Sequence, residues 1–245
     1  MRTIGLIGGM SWQSSAEYYR IINQAVQSRL GPLRSAQTLM YSVDFGPIER
    51  AQHEGRWHDA GVLLADAARR LQAGGAQCVV LCTNTMHKLA AQIEGAVTIP
   101  FIHIADPVGE AAQSGRIERI GLLGTAFTME QDFMKARLTQ RFGLDVIVPD
   151  APDREVVHRI IYDELCVGVI REASRDAYRK IMAKLASAGA QAIVLGCTEI
   201  TLLVNAGDSA LPLLDTTTLH ALAAVDFALQ GNGNGNRDAH AGPAS

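Results

Sequence analysis

The chain has 245 residues, 48% of them hydrophobic and 19% charged, and a formal net charge of −3. That is enough apolar material for one large domain or two lobes, and too much for a disordered chain. Acidic and basic residues are interspersed with no basic block, so nucleic acid is excluded as a partner and a small molecule fits better. No apolar stretch is long enough to span a membrane.

In chain order, "TIGLIG" reads as a strand and "SSAEYYRIINQAVQSRL" as a helix with a serine cap and apolar spacing of three and four. "TLMYSVD" is a second strand. "HDAGVLLADAARRLQAGG" is a helix that stops at glycine. "CVVLCT" is a third strand, "NTMHKLAAQIEG" a helix and "IPFIHI" a fourth strand. The pattern then restarts with "IGLLG", helix "TMEQDFMKARLTQRF", strand "DVIVP", helices "DREVVHRIIYDELCVGVI" and "ASRDAYRKIMAKLASAG", strands "AIVLGC" and "LPLLD", and helix "TLHALAAVDFALQ". Alternation of this kind predicts an α/β fold of parallel sheets flanked by helices. The tail 231–245, "GNGNGNRDAHAGPAS", has no apolar period and is expected to be disordered.

The restart is a duplication. "IGLIG" from Ile4 matches "IGLLG" from Ile120, "GAQCVVLCTN" from Gly75 matches "GAQAIVLGCT" from Gly189, and "IPFI" from Ile99 matches "LPLL" from Leu211. We expect a first lobe over 1–104, a second over 105–214, and the segment 215–230 packing back on the first. Open α/β sheets bind ligands beyond the carboxyl ends of their strands, so two similar lobes would place two similar strand ends across one cleft.

The ungapped match sets Cys82 over Gly196, Thr83 over Cys197, Asn84 over Thr198 and Thr85 over Glu199. The partner of Cys197 across the pseudo-two-fold is therefore Thr83, although Cys82 is the more conspicuous residue. A one-residue shift would turn a side chain to the other face of its strand. Two proton-handling groups facing each other suit inversion of a single carbon, one removing a proton and the other delivering one. A thiol can be the base, and a threonine hydroxyl, far weaker, can relay or donate a proton. The adjacent "NT" and "TE" offer donors for a carboxylate, with helix capping as the local alternative. Cys78 and Cys166 read as small buried hydrophobes.

At this point a resemblance is carried by "GLIGGMSW" at 5–12, "CTNTMH" at 82–87, "LLGTAFTMEQDF" at 122–133 and "GCTEI" at 196–200. The sequence resembles the aspartate/glutamate racemases, which invert amino acids without pyridoxal phosphate, and is nearest to a bacterial branch with broad or L-aspartate/glutamate specificity. The resemblance covers residues 1 to about 229. It implies no cofactor, a homodimer, Cys197 as thiol base acting on the L-enantiomer, and Thr83 as an atypical partner where the family usually has cysteine. It further implies substrate contacts from Met10, Gln52, Asn84, Thr85, Thr125, Thr198 and Glu199. Some relatives that take acidic substrates carry cations around positions 48 and 164. Ile48 and Glu164 stand there in this chain, so Glu164 is a specificity position pointing away from acidic substrates. Cys82 is the runner-up catalytic residue.

Other readings fit less well. The histidines and cysteines lack zinc-ligand spacing, so no metal is expected. "GLIGGM" lacks the dinucleotide fingerprint. A related decarboxylase or cis–trans isomerase would reuse the same cleft. A non-catalytic bilobal amino-acid-binding protein explains the duplication but not the thiol. The N-terminal "MRTIGLIGGMSW" reads as a strand and turn without a cleavage site, so cytoplasmic residence is the expectation.

Overall fold

The computed structural model describes residues 1–230; the expected disordered tail lies outside the described residues. The first half contains β1 (Ile4–Gly8), α1 (Trp12–Leu30), β2 (Thr38–Ser42), α2 (Phe45–His53), α3 (Trp57–Ala73), β3 (Cys78–Leu81), α4 (Ala90–Glu94), β4 (Phe101–Ile102) and α5 (Ala105–Ser114). The second contains β5 (Arg119–Gly124), α6 (Ala126–Glu130), α7 (Asp132–Phe142), β6 (Asp145–Ile147), α8 (Ala151–Asp163), α9 (Glu172–Ser187), β7 (Ala192–Gly196), α10 (Ile200–Leu203), β8 (Leu213–Asp215) and α11 (Thr216–Gln230). Two parallel four-stranded sheets result, ordered β2-β1-β3-β4 and β6-β5-β7-β8. The duplication holds at the level of pairing. Ile4 pairs with Cys78 and Val79 with Phe101 in one sheet, as Ile120 pairs with Ala192 and Ile193 with Leu213 in the other.

The central strands are apolar throughout because both faces are covered. In the first sheet Ile7, Val79 and Leu81 pack under α2 and α3, while Ile4, Leu6, Cys78, Val80 and Cys82 pack under α1 and α11. In the second, Leu123, Ile193 and Leu195 meet α8 and α9, while Ile120, Leu122, Ala192 and Val194 meet α5 and α7. The period-two alternation thus sends Cys82 to the α1/α11 face. There it is 0% exposed, and burial pushes its thiol well above the ordinary range. A side chain at the matching Gly196 would put its Cβ 2.9 Å from the Leu123 carbonyl oxygen, so that face of β7 admits only glycine.

Helix α11 lays Ala221, Ala224, Val225 and Ala228 against the first-lobe core, and the Arg2 amide donates to the Ala228 carbonyl at 2.9 Å. His220 on α11 donates Nε2–H to the Ile102 carbonyl (2.6 Å) and accepts at Nδ1 from the Tyr18 hydroxyl (2.8 Å).

Several local expectations change. Two helices, α2 and α5, lie where no helix is predicted. The helix expected over 128–142 is two, because Gln131 is extended (φ −84°, ψ 157°) and breaks it. The helix expected to run through Cys166 stops at Asp163. A 3-10 turn, Leu165–Val167, follows and ends at Gly168 with φ +77°, where glycine is favoured. That turn carries Cys166 out of the core, so its thiol is exposed and the reading of it as a buried hydrophobe is corrected.

Candidate active site

The carboxyl ends of β1 and β3 face those of β5 and β7 across the inter-lobe cleft. Gly9 starts the first wall: its φ of +101° and its approach to Val43, where a Cβ would lie 2.1 Å from the carbonyl oxygen, require glycine. Its amide donates to Ser15 Oγ at 2.8 Å, and Ser11 caps α1 by accepting from the Ser14 amide. Met10 and Ser11 are thereby held at the cleft. Ser14 Oγ then bridges the lobes, 3.1 Å from the Cys82 carbonyl oxygen and 3.0 Å from Thr198 Oγ1. Trp57 of α3 and Phe127 of α6 meet edge to face at 6.0 Å, a further contact between the two halves.

The cleft holds a cavity of about 120 Å³. Its walls bring together Met10, Gln52, Thr83, Asn84, Thr85, Thr125, Cys197, Thr198 and Glu199 from both lobes. The volume is of the order of the roughly 150 Å³ that holds benzene in an engineered protein interior, so a small molecule fits. Cys82 does not line it. Neither does Glu164, whose carboxylate accepts from Ser174 Oγ at 2.6 Å and lies 3.6 Å from Arg171, nor Ile48, which is buried in the first-lobe core. Sequence reasoning missed Ser11, Ser14, Phe45, Tyr162 and Cys166, which also line the cavity. The sequence places the serine cap at the start of "SSAEYYR", whereas Ser11 caps α1 and Ser14, inside its first turn, is the serine that meets Thr198 of the second lobe.

Cys197 donates its thiol hydrogen to Glu199 Oε2 at 2.9 Å. Burial first, then the Glu199 carboxylate, push the thiol's pKa well above the ordinary value, so Cys197 is protonated at rest. The other Glu199 oxygen accepts from Ser11 Oγ at 3.4 Å. Opposite, the Thr83 amide closes a tight turn onto the Leu81 carbonyl (2.8 Å). Asn84 is 6% exposed and its Oδ1 has no partner within the protein, an unusual state for a buried amide and one that a ligand donor would relieve. Glu199 is the one charged group among the described residues lining the cavity; no lysine, arginine or histidine is among them.

Among the described residues, no helix is long and apolar enough to cross a membrane. Comparison with known proteins matches residues 7–224 to the family described as Asp/Glu/Hydantoin racemase. A glutamate racemase from Roseiflexus sp. (strain RS-1) is 32% identical over 179 residues, which is 66% of this chain and 58% of that enzyme; the match thus spans less than two thirds of its length. The crystal structure of a Yersinia pestis protein proposed as an Asp/Glu racemase superposes with a TM-score of 0.91 at 55% identity, covering 94% of this chain and 100% of the other. An aspartate racemase homologue from Pyrococcus horikoshii OT3 superposes at 0.83 with 28% identity, covering 93% and 99%. Fold, duplicated cleft and these likenesses agree, and the chain belongs to the Asp/Glu/hydantoin racemase family.

Proposed function

We propose that the protein is a cofactor-independent amino-acid racemase in which Cys197 and Thr83 work on opposite faces of one α-carbon. The observation that carries this reading is that a thiol and a hydroxyl, at register-matched strand ends of two lobes, line one small cavity while Cys82 is sealed behind it. Cys197 removes the α-proton of the L-enantiomer. Before that its own proton must move, and Glu199, already hydrogen-bonded to it, is the acceptor in place. Glu199 also lines a second hollow of about 530 Å³ beside Arg20 and Asp215, which supports proton exchange with solvent. The substrate ammonium beside Glu199 would neutralise the carboxylate and ease thiolate formation. Asn84, Thr85 and Thr198 would hold the substrate carboxylate, and Met10, Gln52 and Thr125 its remaining edges. Thr83 delivers a proton on the far face as a relay, its hydroxyl taking up a solvent proton as it gives its own to the carbanion, while the proton held by Glu199 returns to solvent. Because a hydroxyl is a far weaker base than a thiolate, kcat from the L-enantiomer exceeds kcat from D. Since the two enantiomers are equally stable, KM differs by the same factor, leaving kcat/KM equal in the two directions.

The charge pattern supports a neutral, basic or broad side-chain range. A second carboxylate held roughly 6 Å from Glu199 would meet about 3 kcal/mol of repulsion at an effective dielectric near 20, with no cation among the described lining residues to offset it. Free thiols suit a reducing compartment, so we place the protein in the cytoplasm. We infer a homodimer from the family resemblance, and light scattering on the purified protein tests it.

The test is incubation with single-enantiomer glutamate, alanine and lysine in heavy water, without cofactor, following α-deuteration and chirality. Racemisation with deuterium gain is expected. Loss of CO₂ in place of racemisation, on a malonate-type substrate, would favour the decarboxylase reading, and binding without any exchange would favour a binding protein.

A further inference from the structure

His87 belongs to the "CTNTMH" stretch, yet it does not reach the cavity. It is 2% exposed and sits in the 3-10 turn Thr85–Leu89. Its two ring nitrogens have different partners. The Ile104 amide donates to Nε2 at 3.1 Å, so Nε2 carries no hydrogen. Nδ1 therefore holds the ring's one N–H and points it at the Thr83 carbonyl, 2.8 Å away. Burial, reinforced by neighbouring His103 and His220, keeps the ring neutral and this tautomer intact. The Thr83 backbone is thus fixed at both ends, its amide on Leu81 and its carbonyl on His87.

The far side of the bridge matters too. Ile104 precedes α5, whose Asp106 accepts from Arg137 Nε and Nη2 of α7 at 2.6 and 2.8 Å, in the second lobe. His87 therefore couples the turn carrying Thr83 to the start of α5, which packs on the second sheet. In the second lobe the corresponding carbonyl, that of Cys197, is held by the backbone amide of Ile200 at 3.2 Å. The residue in register with His87 is Thr201, which bonds the Thr198 carbonyl instead (2.8 Å).

We propose that His87 is a positioning residue for proton delivery: its Nδ1–H, oriented by the Ile104 amide, fixes the Thr83 turn and so the placement of the Thr83 hydroxyl against the substrate α-carbon. This rests on the racemase reading above. Misplacement of a reacting group by about 1 Å costs on the order of a hundredfold in rate, so loss of this bond should be visible in kcat.

Two measurements test it. Nitrogen-15 histidine spectra of the full chain should show His87 as the Nδ1–H tautomer from pH 6 to 8; an Nε2–H tautomer or an imidazolium overturns the inference. Secondly, His87→Leu, His87→Asn and His87→Gln are compared on the fastest substrate of the panel above. The asparagine amide nitrogen overlays Nδ1 and keeps a donor for Thr83, whereas the glutamine amide overlays Nε2 and loses it. Expected are kcat losses of about tenfold or more for Leu and Gln with KM within threefold, and Asn within threefold of the parent. An unimpaired Leu variant, or folded Asn as impaired as Gln, overturns the inference. Should Leu fail to fold, the Asn–Gln contrast and the tautomer still decide. A parent protein that racemises nothing on the panel would sink the racemase reading itself, while the spectra would still test the histidine bridge.

Discussion

The ends of β3 and β7 descend from one duplicated unit and have diverged in opposite directions. At β7, Gly196 leaves no side chain on the far face, and Cys197 turns into the cleft against a carboxylate. At β3, the thiol stands one residue earlier, buried against α1 and α11, and it is Thr83 that lines the cleft. The two ends are also held differently: backbone amide on carbonyl at Cys197, a buried imidazole at Thr83. On the proposed reading, a near-symmetric scaffold therefore carries an asymmetric pair, with the stronger base, Cys197, on one side and the weaker group, Thr83, on the other.

The largest expected effect tests that asymmetry directly. Cys197→Ala should lower α-deuteration of the L-enantiomer by about a thousandfold or more, general acid–base groups being worth roughly 10²–10⁴. Cys82→Ala should leave it within threefold. A dead Cys82 variant with an active Thr83→Ala would reverse the assignment. Next, Thr83→Cys should restore the missing symmetry and raise α-deuteration of the D-enantiomer by about tenfold or more in proton-exchange NMR, since a thiolate is a better base than a hydroxyl. No gain with D-substrate would break the comparison.

Smaller effects sharpen it. Glu199→Gln removes the charge that, after burial, raises the Cys197 thiol. Less opposition to the thiolate means that alkylation of Cys197 by iodoacetamide should rise at lower pH than in the parent. A profile moved to higher pH would show that Glu199 does not oppose the thiolate. The Thr83 side should also be the acid-sensitive one. Burial lowers His220 to about 4 and His103 to about 3, against an ordinary 6.5. Below 6.5 the unfolded chain binds protons that the folded chain refuses, so stability is lost as pH falls from about 6.5 toward 4. His220 alone accounts for roughly 3 kcal/mol of that loss by pH 4. Melting midpoints should fall across that window, and a flat profile would contradict it.

Much of this was legible in the sequence for specific reasons. Strands β1, β3, β5 and β7 are continuous apolar runs because helices cover both faces. The register of the repeat separates Cys82 from Thr83 because strand side chains alternate. No helix is predicted from the sequence at α2 or α5, and both contain a proline, Pro47 and Pro107. Each sits in a first turn, where the missing amide hydrogen has no intrahelical partner to lose. The exposure of Cys166 depended on Gly168 ending a 3-10 turn, and a helical period running through it masked the stop. The role of Ser14 and the bridge from His87 to Ile104 rest on contacts between distant segments, which no local pattern encodes.

The return of α11 to the first-lobe core has a consequence for the order in which the chain becomes structured. The Arg2 amide bonds to Ala228, and Ile4, Leu6 and Tyr18 are covered by Ala221, Ala224 and Val225. During synthesis the N-terminal sheet emerges first, but one of its faces has to wait for nearly the whole chain. The second lobe, lying between, can complete its own sheet earlier. Contacts between segments so far apart in sequence form slowly, so docking of α11 is expected to come late. That event also seats His220 beside Tyr18 and Ile102, so the side of the cleft bearing Thr83 would be the later of the two to mature.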